Sequence, residues 1–425
     1  MNRPVPSSST RCCIAGGGPA GMMLGYLMAR AGVDTVVLEK HADFLRDFRG
    51  DTVHPSTLRI VDELGLLDDF LRLPHQKLRR LTGLFGDRPV GVADFSGLPE
   101  RYAYIAFMPQ WDFLNFLAAE GRRLPRLSVR MESAVESLID EDGRVAGVRG
   151  HDADGPFEIR AALTVGCDGR HSTVREAAGL PLETLGAPID VMWFRVPRDP
   201  GGLDDTLARI TPGHIVVTLD RGDYWQCAFV IPKGGADALR HRGIETFRAE
   251  VARAAPILAP HVGAIASWDD VRLLSVSVDR LTRWSKPGLL CIGDAAHAMS
   301  PVGGVGINLA IQDAVAAANA LAGKLRDGGV DENDLDAVRE RRLFPTRVTQ
   351  RLQVQMQDNV LAPVISGRNG DVEPPLPLRL LNALPPLQRL LARVIGMGVR
   401  PEHVRSPDAG NGVPGRAHAA QRERQ

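Results

Sequence analysis

The stretch from Arg11 to Lys40, RCCIAGGGPAGMMLGYLMARAGVDTVVLEK, admits few folds. Its first apolar run, Cys12 to Ala15, is long enough for one buried strand. Gly16-Gly17-Gly18-Pro19-Ala20-Gly21 follows as a G-x-G-x-x-G. Met22 to Arg30 has helical character, Gly32 stops the helix, and a second apolar run, Thr35 to Leu38, ends at Glu39 and Lys40. Strand, tight turn, helix, strand is a unit that holds a dinucleotide. Gly16 makes the turn, Gly18 lets the backbone approach a pyrophosphate, and Gly21 lets the helix pack close to the sheet. The helix N-terminus offers free N–H groups and a positive dipole end to phosphates. Glu39 falls about 20 residues on, where a carboxylate accepts ribose hydroxyls.

The rest of the composition narrows the class. Over 425 residues, 44% hydrophobic and 24% charged content is ordinary for a globular chain of two or three domains. A formal net charge of zero argues against nucleic acid held by bulk electrostatics and against a polybasic membrane anchor. No apolar run reads as long enough to span a bilayer. Residues 1–10 lack the core of a signal peptide and read as a frayed lead-in. Five cysteines without metal or redox spacing point to structural burial, no metal, and a reducing cytoplasm.

Taken in order, Ser56 is placed to cap a helix over Thr57 to Leu64. Short runs at 81–85 and 103–107 suggest strands leaving the nucleotide-binding layer, and Gln110 opens a helix over 111–122. A strand at 162–166 leads into CDGRHSTVR, with Asp168 and Gly169 at its carboxyl end. There Asp168 would accept from ribose or hold Arg175, although a capping acid with a turn glycine explains the segment equally well. From about 183 to 285, β-rich runs alternate with turns, and only 243–255 is clearly helical. Gly288 to Ile292 then reads as a buried strand. It leads to Gly293-Asp294-Ala295-Ala296-His297, a glycine-rich turn Pro301 to Gly306, and a long helix from about Asn308 to Leu325. Asp294 is placed to accept a hydroxyl from the ribityl chain of a flavin. The helix N-terminus suits the negative charge of a reduced flavin.

These patterns give an α/β fold. A Rossmann-like dinucleotide-binding domain, which a resemblance to the class A flavin monooxygenases implies to be an FAD-binding domain of the GR2 type, occupies 1–75, 106–182 and 286–330. Substrate-domain strands occupy 76–105, and an inserted antiparallel β-sheet substrate domain occupies 183–285. A C-terminal helical segment follows at 331–400. The polar, basic tail at 401–425 is expected to be disordered.

The three clusters, in this order and spacing, resemble the class A flavin monooxygenases of the para-hydroxybenzoate hydroxylase type. The resemblance covers residues 11–325. The G-x-G-x-x-G with Glu39 is similar to that family's ADP-binding motif, CDGRHSTVR to its DG motif, and GDAAHAMSPVGGVGIN to its GD motif. Arg49 and Gln110 fall where the family places a flavin-contacting arginine and an FAD-binding glutamine. No second G-x-G-x-x-G opens a βαβ unit, as a resident second nucleotide would need.

The resemblance implies non-covalent FAD reduced by a transiently bound NAD(P)H. It also implies a flavin C4a-hydroperoxide that transfers oxygen to a small aromatic or polyketide-like substrate. FAD would be held by Gly16, Gly18, Pro19, Ala20, Gly21, Glu39, Lys40, Arg49, Gln110, Asp168, Gly169, Gly293, Asp294, Pro301, Gly304, Gly306, Ile307 and Asn308. Arg49 would help the flavin swing between a solvent-facing and a buried position, with Arg46 as a substitute. Pro301, Gly303 and Gly304 would shape the oxygen pocket. Trp193, Tyr224, Gln226 and Phe229 are candidates for the substrate wall, each also explicable as sheet packing. His297 reads as a proton relay or, more simply, as a side chain bonded to its own loop backbone. Two other functions stay open: an FAD-dependent reductase without oxygen insertion, and a non-catalytic FAD-bearing interaction protein. The assembly is expected to be a monomer or homodimer.

Overall fold

The first strand runs further than its apolar core. In the computed structural model, which describes residues 6–45, 52–199, 207–366 and 373–410, it spans Ser7–Ala15. Ser7 to Thr10 pair in parallel with Glu158 to Ala161, so the expected frayed lead-in is strand from Ser7 onward. Ladder hydrogen bonds need no apolar side chain, and these four residues are exposed or half-buried.

Strand Ser7–Ala15 lies between Gly155–Gly166 and Thr35–Leu38, with Leu127–Arg130 and Leu289–Cys291 as the next parallel neighbours. Three strands that are far apart in sequence are thus brought side by side. The turns after them, at Gly16, Cys167 and Ile292, emerge at one edge. The same sheet turns antiparallel through Arg144–Asp152 and Ala134–Glu141. Helix Pro19–Arg30 and helix Gly306–Asp327 pack against each other over this sheet.

Helix Gly306–Asp327 corrects one expectation. By length and composition it is apolar enough to cross a membrane. It is largely buried here, because a helix packed on all sides is apolar on all sides.

A second, seven-stranded sheet has the order Arg272–Leu274, Ile189–Pro197, Tyr224–Pro232, His214–Asp220, Leu207–Thr211, Arg80–Phe85, Arg88–Asp94. It is not wholly antiparallel: Leu207–Thr211 pairs in parallel with Arg80–Phe85, because those segments come from distant parts of the chain. One face packs on helix Ile244–Ala254 through Phe194, Phe229 and Phe247. The other face, with Trp193, Val217 and Leu219, meets Ile105, Phe107 and Ile395. Strand Ile105–Phe107 itself joins Thr52–Val53 and Gln76–Leu78 in a small separate sheet.

The C-terminal region is helical: Glu332–Met356, then Leu376–Ala383 and Pro385–Met397. The expectation of disorder from 401 fails over 401–410. Glu402 is buried and hydrogen-bonded to Arg341 and Arg342, contacts that polarity along the sequence does not reveal.

Candidate active site

The glycines of the first turn have separable geometric reasons. Gly16 has φ +104°, and a Cβ there would overlap the Cys167 carbonyl. A Cβ on Gly21 would overlap the Gly16 carbonyl, so turn and helix touch. Gly18 has an ordinary φ of −73°, and a Cβ there would meet nothing within 4 Å. Nothing among the described residues requires Gly18 to lack a side chain.

The helix it precedes has Pro19 in its first turn, Ala20 buried behind it, and no side-chain cap on its N–H groups. Glu39 is buried at the end of the second strand, where its Oε2 accepts from Gly17 N at 2.9 Å and its Oε1 from His41 N at 3.0 Å. Two oriented N–H donors hold the carboxylate beside the glycine turn. Lys40 next to it is exposed.

In the second cluster the structure shows the capping reading rather than a bond to Arg175. Asp168 Oδ1 accepts from the Ser172 hydroxyl at 2.5 Å and Oδ2 from Val174 N at 3.0 Å. Burial raises this carboxyl above its usual range, against the pull of those hydrogen bonds. Its side chain therefore caps helix Thr173–Ala177, and it does not hold Arg175. Arg175 donates instead to the Ala295 carbonyl at 3.2 Å and to the Arg170 carbonyl at 2.7 Å. Arg170 lies 3.6 Å from Asp294. The DG segment is thus tied to the GD segment, with Gly169 at φ +85° in the turn between strand and helix.

Asp294 is one-third exposed and available to a ligand hydroxyl. Gly293 packs against Ala20 and Ala310; a Cβ there would sit 3.1 Å from the Ala20 Cβ. Pro301 to Gly304 form a tight turn closed by Gly304 N donating to the Pro301 carbonyl at 3.0 Å. Gly303 and Gly304 have φ of +79° and +63°, and a Cβ on Gly304 would come within 2.5 Å of Thr52 Oγ1. Thr52 donates to the Gly304 carbonyl at 3.0 Å. Helix Gly306–Asp327 follows without a side-chain cap, so the N–H groups of Gly306, Ile307 and Asn308 are unclaimed by side chains.

The Asn308 side chain points away from that helix end, and its Oδ1 accepts from the hydroxyls of Ser56 and Thr57. Ser56 therefore faces inward and does not cap its helix, which spans Pro55–Glu63 with His54 at the N-cap. Gln110 is half-buried at the first position of helix Gln110–Gly121. Arg49, with Arg46, lies outside the described residues.

Several site residues escaped the sequence reading. His54 is fully buried, and its Nδ1 meets the Ile395 carbonyl at 3.2 Å. A carbonyl only accepts, so Nδ1 carries the proton. Burial pushes His54 down to about 4, against the carbonyls of Ile395, Gly304 and Gly303, so the ring is neutral near pH 7. The His297 side chain bonds Asp313 rather than its own loop backbone: its Nε2 is 2.6 Å from Asp313 Oδ2. Asp313 and Gln312 were legible as two polar residues inside an otherwise apolar run.

The substrate-wall candidates divide by face. Strand alternation places Gln226 and Tyr224 on one face and Phe229 on the other. Phe229 packs against Phe247 under the helix, so it is removed from the substrate wall. Trp193 and Gln226 share the face toward the FAD-binding domain, on paired strands and diagonal to one another. Trp193 Nε1 and Gln226 Nε2 are buried, and neither has a hydrogen-bond partner among the described residues.

Two uncapped helix N-termini, an unhindered glycine and two acidic strand ends converge at one edge of the parallel sheet. That arrangement fits a dinucleotide such as FAD. Residues 9–352 match the family model described as FAD binding domain, and the chain belongs to that family. It is 33% identical over 394 residues to a 6-methylpretetramide 4-monooxygenase from Streptomyces rimosus, covering 92% of this chain and 93% of that one. It is 26% identical, with a TM-score of 0.71, to the structure of an anhydrotetracycline hydroxylase from Streptomyces rimosus, covering 93% of this chain and 77% of that one. A para-nitrophenol 4-monooxygenase from a Pseudomonas strain is 25% identical, covering 76% of this chain and 81% of that one. The protein is an FAD-dependent monooxygenase.

Proposed function

We propose that this enzyme hydroxylates a flat, electron-rich aromatic of the polyketide type, bound between the seven-stranded sheet and the flavin. The observation that carries the reading is the pair of buried, unpartnered donors, Trp193 Nε1 and Gln226 Nε2, on the inner sheet face. A buried donor without a partner costs about 1–3 kcal/mol, which a substrate oxygen would offset. Val217, Leu219, Ile105, Phe107 and Ile395 around them offer apolar surface to ring carbons.

Bound FAD supplies the redox chemistry: it takes a hydride from NAD(P)H and activates O2. The protein supplies the rest. Gly18 and the uncapped helix behind it would cradle the pyrophosphate, Glu39 the ribose and Asp294 the ribityl chain. The N-terminus of helix Gly306–Asp327 would stabilise negative charge on the ring. Thr52 holds the Gly304 peptide, so the turn beside the reacting edge keeps its shape. Arg49 is proposed to move with the flavin, on the resemblance alone. Slowed flavin reduction in Arg49→Ala, measured by stopped flow at saturating FAD, is the expected result.

The five buried free thiols fit a reducing compartment, and the cytoplasm is proposed. A monomer or homodimer is proposed as well, checked by sedimentation.

The test of function is a panel of phenolic aromatics screened for stimulated NAD(P)H oxidation under labelled O2. Label in the product supports the proposal. Stimulated oxidation with a reduced, unlabelled product would favour a reductase. FAD binding without any stimulation across the panel would count against a catalytic role for these substrates.

A further inference from the structure

The segment after the last helix reaches the flavin-binding loops through two hydrogen-bonded arms. On the first, Glu402 Oε1 accepts from Arg341 Nε at 2.7 Å and from Arg342 Nη1 at 3.3 Å. Arg342 Nη1 also donates to the Arg400 carbonyl at 3.3 Å, and Arg342 Nε donates to Asp313 Oδ1 at 2.8 Å. Asp313 Oδ2 then accepts from Gly293 N at 3.1 Å and from His297 Nε2 at 2.6 Å. On the second arm, Glu402 N donates to Gln312 Oε1 at 3.2 Å and Gln312 Nε2 to Ser56 Oγ at 3.3 Å. The Ser56 hydroxyl donates to Asn308 Oδ1.

The first arm ends on the Ile292–Gly293 peptide, one residue before Asp294. The second ends on the first turn of the helix that would face the flavin ring. Arg342 and Asp313 are both fully buried. Buried ion pairs add little stability compared with apolar packing, but they fix geometry, because each partner is costly to leave unpaired. The two arms share one residue, Glu402, through its side chain and its backbone N–H.

We propose that Arg400 to Glu402 act as a clamp on the FAD site, with Glu402 as a positioning residue acting through Arg342 and Gln312. Glu402 touches neither cofactor nor substrate. It sets the orientation of the Ile292–Gly293 peptide, which leads into Asp294, and of the Asn308 turn. The clamp rests on the placement of FAD between Gly18, Asp294 and the N-terminus of helix Gly306–Asp327.

The experiment is FAD titration into full-length apoprotein, for wild type, Glu402→Ala and Glu402→Gln. Flavin fluorescence gives affinity, the visible spectrum reports the ring's surroundings, and a melt without FAD reports folding. Glu402→Ala is expected to weaken FAD binding roughly tenfold, since a charged hydrogen bond is lost from a buried chain. Glu402→Gln keeps the shape and should weaken it less. The bound-flavin band should shift in Glu402→Ala, which a merely structural role would not produce. Wild-type affinity and spectrum in both variants would overturn the clamp. If Glu402→Ala does not fold, Glu402→Gln decides: weaker binding supports the clamp and unchanged binding overturns it. Wild-type protein that takes up no FAD would sink the placement of the cofactor, and the clamp with it.

Discussion

At the scale of single residues, the site separates groups that hold the cofactor from groups that hold the protein. Gly18 is proposed to belong to the first kind. Gly18→Ala should leave the apoprotein melting temperature within about 2 °C, given its allowed φ and open surroundings, yet weaken FAD binding. Equal affinity for FAD would remove Gly18 from the pyrophosphate site. Asp294→Ala and Glu39→Ala should each cost FAD binding roughly tenfold or more, because a ligand hydroxyl loses its acceptor. Unchanged affinity in both would show the cofactor to lie elsewhere.

His54 belongs to the second kind. Its folded pKa of about 4 lies below the ordinary 6.5, so the unfolded chain binds more protons between those values. Stability from this residue is therefore full above about pH 6.5 and is lost as pH falls toward 4. The loss is roughly 3 kcal/mol at most. Melting temperature against pH should fall more steeply in wild type than in His54→Gln over that window. Parallel curves would mean that His54 is not buried neutral.

Elements meet here at glycines. Helix Pro19–Arg30 approaches the Gly16 carbonyl so closely that only Gly21 fits at the crossing. Gly21→Val should push the helix off the sheet and lower the apoprotein melting temperature by several degrees. That response is the opposite of the one expected at Gly18 three residues away, and the two together tell helix packing from phosphate approach. The helical segments differ in how they are held. Helix Glu332–Met356 begins with a reciprocal cap between Asp331 and Asp334 and buries Arg342 on its inner side. Helix Pro385–Met397 instead packs Ile395 against two clusters, one that holds Met299, Val305 and Leu309 and one that holds Phe95 and Phe107.

Across the whole molecule, the inner face of the inserted sheet packs against strand Ile105–Phe107 and the C-terminal helix that carries Ala392 and Ile395. Binding of FAD to the folded state alone should raise the unfolding free energy by about 2.7 kcal/mol at a hundredfold excess over its dissociation constant. A melting temperature independent of added FAD would contradict this. Gln226→Leu should raise KM for the aromatic substrate while leaving FAD affinity alone, because Gln226 lies on the inserted sheet, away from the cofactor loops.

Local pattern in the chain was enough to establish the nucleotide-binding unit, the order of the three cofactor clusters and the texture of the inserted domain. Each of these is short-range: a turn needing positive φ, a helix start, an alternation of period two. That alternation also separates Phe229 from Gln226, although composition alone groups them. What Ser56, His297 and Glu402 bond to was settled by packing, whereas Asp168 keeps the local capping role that its own segment already suggested. Ser56 and Asp168 both carry capping chemistry, and which one caps depends on a partner supplied from elsewhere: Asn308 claims Ser56, while Asp168 keeps its own helix. His297 finds Asp313 on the helix that follows its loop, and Glu402 finds two arginines about 60 residues earlier in the chain. A hydrogen bond depends on distance in space, and distance in space between remote segments is set by how the elements pack rather than by any neighbouring residue.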